Sequence, residues 1–197
     1  MGRKKKDPNE PKMPMKKHLH IYEFMCKTGG VSYKTLQDHF KLGKTALKNF
    51  TQLCHIEEKP ELVVDANGKE TIERIFYFNR EGRNYCISKG LTIEAARYSS
   101  YKHHLGLEQE LIKLLEQNIE LKDIKNEHEA AFLFAASIKE AQDKGYEISV
   151  ADFTVKTEEG YKVVEVLTKN YKSTQKKAHE NYAKHVIETE NYVAKPY

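Results

Sequence analysis

Val31-Ser-Tyr-Lys-Thr-Leu-Gln-Asp-His-Phe-Lys-Leu-Gly-Lys-Thr-Ala-Leu-Lys-Asn-Phe-Thr-Gln-Leu-Cys54 reads as two short helices joined by a tight turn. Ser32 is a good N-cap, because its hydroxyl can accept from the free amides of a first helical turn, and Tyr33, Leu36 and Phe40 then recur on one helical face. Lys41-Leu42-Gly43 breaks the pattern, and Gly43 is the residue expected to supply the positive φ of a sharp inter-helix turn. The second helix resumes with Ala46, Leu47, Phe50 and Leu53 on its buried side. Its other side carries Lys44, Thr45, Lys48, Asn49 and Gln52, donors to phosphates and base edges with no acid among them. Two helices around a glycine-containing turn, the second polar and cationic, fit a DNA-reading helix-turn-helix. The alternative is an ordinary two-helix hairpin with a solvated face.

The neighbouring segments favour the first reading. Residues 14–27 form a candidate third helix with Leu19, Tyr22, Met25 and Cys26 inward, stopped by Thr28-Gly29-Gly30. Beyond Cys54 the pattern turns from helical to alternating, with β-rich runs over 61–65 and 70–78 on either side of Ala66-Asn67-Gly68-Lys69. Asn-Gly between two such runs is a strong hairpin signal. The hairpin is the wing of a winged helix over residues 14–90, with Asn67 and Lys69 at its tip beside the DNA backbone. Winged helices also serve as plain protein-binding modules.

The chain has 197 residues, 31% of them charged, with a formal net charge of +4 and a mean hydropathy of −0.74. That length holds one large or two small domains. With no apolar run of membrane-spanning length and no signal-peptide pattern, the expectation is a cytoplasmic protein with no membrane contact. Residues 1–13 carry Arg3, Lys4, Lys5 and Lys6 among prolines and read as a flexible basic arm, suited to lie along phosphates or in a minor groove. A solvated tail fits the same composition. Cys26, Cys54 and Cys86 form no C-x-x-C pair, so they read as buried reduced thiols, and zinc held with His18, His20 and His55 is set aside.

Residues 91–118 read as a connector helix in which Leu105, Glu108, Leu111, Ile112 and Leu115 share a face. That face suits a homodimer, the symmetry that reads palindromic sites. His103-His104 lie in this helix with no paired acid or cysteine nearby in sequence, so packed or partly exposed histidines are the reading taken. From 119 to 197 the order is strand (119–124), helix (127–143), strand (148–155), a Glu158-Glu159-Gly160 turn, strand (161–168) and helix (172–188), a small α/β unit. Glu127 starts a helix, Asp152 lies in a strand, and Glu165 stands within the apolar Val163-Val-Glu-Val166. A carboxylate in a buried strand is costly unless paired or used, and converging acids can hold Mg²⁺ for phosphodiester hydrolysis.

Asp152, Glu165-Val-Leu-Thr-Lys169 and Lys172-Ser-Thr-Gln-Lys-Lys-Ala-His-Glu-Asn-Tyr182, with Tyr101-Lys-His-His-Leu105 and Asn126-Glu-His-Glu129, resemble the PD-(D/E)XK nuclease core of the replication-relaxation family. These are winged-helix proteins of plasmids and conjugative elements. The resemblance implies an α+β protein: N-terminal winged helix, connector helix, and a C-terminal PD-(D/E)XK-like domain. It makes Asp152 and Glu165 the metal-binding acids and Glu127 the optional upstream acid. Two departures count against catalysis: Ala151 replaces the proline, and Leu167 stands where the catalytic lysine belongs. Lys169, two residues further along the strand, is the candidate substitute. The implied function is a double-stranded DNA-binding accessory of a mobile element, marking a replication or transfer origin and recruiting a relaxase or replication initiator, with a non-catalytic second domain. The alternatives are a Mg²⁺-dependent endonuclease using Asp152, Glu165 and Lys169, and a winged-helix transcriptional regulator.

Overall fold

The computed structural model describes residues 18–53, 56–64, 68, 70–93, 101–168 and 171–197. It is a mixed α+β structure with two small sheets. In the first half α1 (Leu19–Thr28) buries Ile21, Tyr22, Phe24, Met25 and Cys26. Leu19, expected inward, is 39% exposed, because the buried face of this helix is centred one step further round. Gly29 ends α1 in the left-handed conformation at φ 78°, its N–H donating to the Met25 carbonyl. The short β1 (Val31–Ser32) follows, then α2 (Tyr33–Asp38), capped as expected by the Ser32 hydroxyl, which accepts from Thr35 N at 3.1 Å.

The turn into α3 (Lys44–Leu53) differs from expectation: Lys41, at φ 54°, takes the left-handed conformation assigned to Gly43. The Leu42 N–H then closes on the Leu36 carbonyl at 2.9 Å, so a six-residue backbone loop ends α2 and the glycine is not needed for it. Leu47 and Phe50 are buried, and Phe50 packs edge-on to His18 and obliquely on Tyr22.

The hairpin forms from β2 (Ile56–Val64) and β3 (Glu70–Phe78), in register from Ile56↔Phe78 to Val64↔Glu70. β2 starts five residues before its expected position and contains Pro60. The strand order β1-β3-β2 puts β2 at an edge, where a missing ladder donor is tolerated. β1, too short to register as a strand in sequence, pairs with β3 at Val31↔Phe76. A further helix, α4 (Arg80–Ser88), is capped by Asn79 and buries Cys86. Cys26 and Cys86 are buried free thiols, as expected, and Cys54 lies outside the described residues.

The second half opens with α5 (Tyr101–Glu116), part of the expected connector. Its apolar face packs within the chain: Leu107, Leu111 and Leu114 join Ile21, Phe24, Phe76, Ile124, Phe153 and Val166 in one core. Of the face anticipated for a dimer, Glu108 and Leu111 are buried and Ile112 and Leu115 pack against this core, and the larger core runs across the expected boundaries at 90 and 118. Gly106 sits where a Cβ would lie 2.5 Å from Val166 and 3.0 Å from the Tyr197 ring, so only glycine lets α5 approach the second sheet this closely.

That sheet runs β4 (Ile124–Asn126), β5 (Phe153–Thr157), β6 (Gly160–Leu167) and β7 (Tyr192–Pro196) in spatial order, the first three antiparallel and β7 parallel to β6. α8 (Ser173–His185) makes the crossover to β7, a strand the sequence reading missed. Its half-buried residues and Pro196 mask any alternation. The strand expected over 119–124 is a 3-10 turn (Leu121–Asp123) leading into β4, and the helix expected over 127–143 breaks at Phe134 into α6 (Glu127–Leu133) and α7 (Ala135–Asp143). Residues 148–152 are not strand: β5 begins only at Phe153.

Buried polar contacts fix the two halves together. The Glu108 carboxylate on α5 is fully buried and accepts from Ser32 N, Ser32 Oγ and Thr35 Oγ1, with His104 Nε2 at 2.8 Å. Lys27 pairs with Glu129 at 2.5 Å, and Asn126 Nδ2 donates to the Cys26 carbonyl. Replacing Glu108 by alanine leaves several buried donors without an acceptor, a loss of about 3 kcal/mol. For a chain of this size that lowers Tm by roughly 6–12 °C. Glu108→Gln, which keeps one acceptor oxygen, is expected to lose less. Thermal unfolding followed by circular dichroism checks both, and an unchanged Tm in the alanine variant would show that the start of α2 does not depend on this carboxylate.

Candidate functional site

Two surfaces carry the residues singled out in the sequence. On α3, Lys44, Thr45 and Lys48 are exposed, on the side of the helix away from the buried Leu47 and Phe50. Its first turn contains no acid. A helix of this kind presents cations and a hydroxyl to an anionic partner without self-neutralisation. Asn49 and Gln52 belong to the same helix, but their side chains lie outside what is described. Asn67 and Lys69, at the hairpin turn, and Arg3, Lys4, Lys5 and Lys6, in the basic arm, also lie outside the described residues, as does Lys169.

The second surface is one end of the four-stranded sheet. Antiparallel pairing of Asn126 with Phe153 and of Phe153 with Val164 brings the end of β4, the start of β5 and the end of β6 side by side. Glu127 follows β4 directly, Asp152 precedes β5 directly, and Glu165 stands in β6. The three acids separated by up to 38 positions in sequence (165 − 127) are thereby neighbours in space. Glu127 is close enough to Glu165 and to His103 for its charge to be felt by both.

The hydrogen bonds of this cluster are specific. Glu165 is 1% exposed. Its Oε2 accepts from the Asp152 backbone N–H at 3.1 Å, and its Oε1 accepts from the Tyr171 hydroxyl, with His179 Nε2 at 3.4 Å. Asp152 Oδ2 accepts from the Val166 backbone N–H at 2.8 Å and lies 3.5 Å from His103 Nε2. Tyr171 OH also meets His179 Nε2 at 3.1 Å.

The electrostatics follow from burial and like charge. Burial first, then the charge of Asp152, pushes the Glu165 carboxyl up to about 9, against the pull of its Tyr171 and Asp152 N–H bonds. Burial also drives the Tyr171 phenol up and the His179 imidazole down. For His103 burial works against the charged form, yet the hydrogen bond and charge of Asp152, with the charge of Glu127, outweigh it and hold the imidazole above its ordinary value.

A Mg²⁺ site needs carboxylate oxygens converging on one point with positions open to water and phosphate. Here both Glu165 oxygens and the Asp152 Oδ2 are turned to donors of the protein itself. Among the described residues no group of three or more His, Cys, Asp or Glu side chains is placed to hold a metal ion. The set Glu127, Asp152 and Glu165 does not, as arranged, fit that ion.

Three participants were not assigned from sequence. His103 was read as a packed or partly exposed histidine for want of an acid nearby in the chain, and its acid, Asp152, comes from another element. Its neighbour His104 is indeed packed, against Glu108 and the Tyr77 ring. Tyr171 and His179 flank the start of α8, and the one available signal was their position just after the acid-bearing strand. Comparison with protein-family models, with curated proteins and with solved structures finds no match to this chain.

Proposed function

We propose that this chain is a double-stranded DNA-binding protein whose first half is a winged helix reading duplex DNA through α3, and whose second half is a non-catalytic PD-(D/E)XK-like unit. The observation that carries the reading is the acid-free, exposed Lys44, Thr45 and Lys48 on the second helix of a tight helix pair followed by a long hairpin. The order α1-β1-α2-α3-β2-β3, with β1 closing the hairpin into a three-stranded sheet, supports the winged-helix assignment. Three antiparallel strands, the first two joined through α6 and α7, a helical crossover and a parallel fourth strand, with acids at one sheet end, support the nuclease-like assignment. By the resemblance drawn from sequence, the role is that of an accessory at a replication or transfer origin of a mobile element, with a relaxase or replication initiator as its partner.

In this reading Lys44 and Lys48 contact phosphates, Thr45 either phosphate or base, and Asn49 and Gln52 base edges. Lys48→Ala is expected to weaken binding on every sequence and to reduce the slope of log K against log salt by about 0.9, one phosphate's worth. Asn49→Ala is expected to reduce discrimination between the cognate site and a mismatched one by roughly tenfold, with a smaller effect on non-specific binding. Fluorescence anisotropy on duplexes of both kinds across a salt series separates the two, and equal losses on all duplexes for both variants would overturn the division of roles.

The endonuclease alternative is favoured by the gathering of Glu127, Asp152 and Glu165 and opposed by the engagement of Asp152 Oδ2 and of both Glu165 oxygens and by Leu167 at the lysine position. Supercoiled plasmid carrying the DNA upstream of this coding sequence, incubated with the full chain and Mg²⁺, Mn²⁺ or EDTA, is expected to stay intact while shifting in a gel. Metal-dependent nicking would make the protein an enzyme and refute the non-catalytic assignment.

A further inference from the structure

The main-chain ladder between β5 and β6 stops at Phe153↔Val164, although β6 continues to Leu167 against β7 on its other side. The next opposed residues are Asp152 and Glu165, and their backbones do not pair as strand. Two hydrogen bonds cross this gap in opposite directions. The Asp152 N–H donates to the Glu165 carboxylate at 3.1 Å, and the Val166 N–H donates to the Asp152 carboxylate at 2.8 Å. Each acid thus satisfies a main-chain donor on the other segment, where a straight ladder would have used a carbonyl. The outer oxygen of Glu165 is closed off by Tyr171, and Tyr171 in turn by His179 from the buried side of α8.

We infer that Asp152 and Glu165 form a reciprocal side-chain clamp that continues the β5–β6 pairing past the end of its ladder, with Tyr171 and His179 sealing it, and that this clamp is the use these acids serve in place of a cation site. The inference goes beyond the DNA-binding reading and stands whether or not α3 reads DNA. It explains why a carboxylate is held in the apolar Val163–Val166 run: each Glu165 oxygen meets a donor that the fold supplies, the Asp152 N–H and the Tyr171 hydroxyl. It also means that Asp152→Ala, the natural control for nuclease activity, removes an acceptor from a buried amide and changes the fold's stability as well as any chemistry.

The test uses the full chain and three readouts that do not depend on activity. Asp152→Ala is expected to lower Tm by roughly 5 °C, because the Val166 N–H loses its acceptor. Asp152→Asn keeps a carbonyl oxygen in the same place and is expected to lose less than half as much. Hydrogen exchange at the Val166 amide should accelerate in the alanine variant and stay close to wild type in the asparagine variant. Millimolar Mg²⁺ or Mn²⁺ should move the wild-type Tm by no more than about 1 °C. Equal losses in the two variants, no loss in either, or a metal-induced rise of several degrees that disappears in Asp152→Asn would each overturn the clamp; the last would return the acids to a cation site. A failure of DNA binding registers in none of these readouts, so the two proposals stand or fall separately.

Discussion

The contact on which the arrangement of the molecule depends is the fully buried carboxylate of Glu108. Taking a carboxylate out of water costs several kcal/mol unless donors replace the lost solvation. The start of α2 supplies them: Ser32 through its N–H and its hydroxyl, and Thr35 through its hydroxyl. Ser32 is also the N-cap of α2. One residue therefore satisfies a helix start and a buried acid from another part of the chain, and the negative charge lies at the positive end of the helix. The entry direction of α2, and with it the placing of α3, is set by α5.

α5 is in turn held to the second sheet by shape. Gly106 allows backbone to come against Val166, and Leu107, Leu111 and Leu114 enter a core shared with both sheets. The consecutive histidines of this helix go to different places, His104 to Glu108 and His103 to Asp152. A helix that reads in sequence as a tether is thus the common wall of the two halves. The Lys27–Glu129 pair and the Asn126 bond to the Cys26 carbonyl add directional contacts on the same side, and burial lowers the Lys27 ammonium below its ordinary value even with Glu129 beside it. Such contacts add little net stability over apolar packing, but each is broken at high cost, so they select one relative orientation of the halves.

What could be read in the sequence was local. The Ser32 cap, the α2–α3 break, the Asn-Gly hairpin and the apolar stripe of α5 all depend on residues within a turn or two of one another, and each formed. What could not be read depended on distant partners. β1 and β7 are too short or too unpatterned to announce themselves, and exist because β3 and β6 offer them an edge. Lys41 took the left-handed position ahead of Gly43 because closure of the loop onto Leu36 fixes the geometry two residues earlier than composition suggests. Glu108 looked like a polar interruption of a leucine face. Its four donors sit 73 to 76 residues away or one turn back, and nothing near it in sequence names them.

The acids of the second sheet show the same limit in sharper form. A lone carboxylate in an apolar strand says that a partner exists, and sequence suggests side chains or a cation, because those are the partners that leave a pattern. Main-chain N–H groups leave none. Asp152 and Glu165 each take one, so the residues that gather as a catalytic set would gather are turned inward to the backbone. Both Glu165 oxygens and Asp152 Oδ2 are thus committed to donors of the fold, and β6 packs against α5 through Val166 and Gly106. On the DNA-binding reading proposed above, the contribution of the second half is mechanical: it fixes the helix whose Glu108 sets the angle at which α2 and α3 meet the duplex.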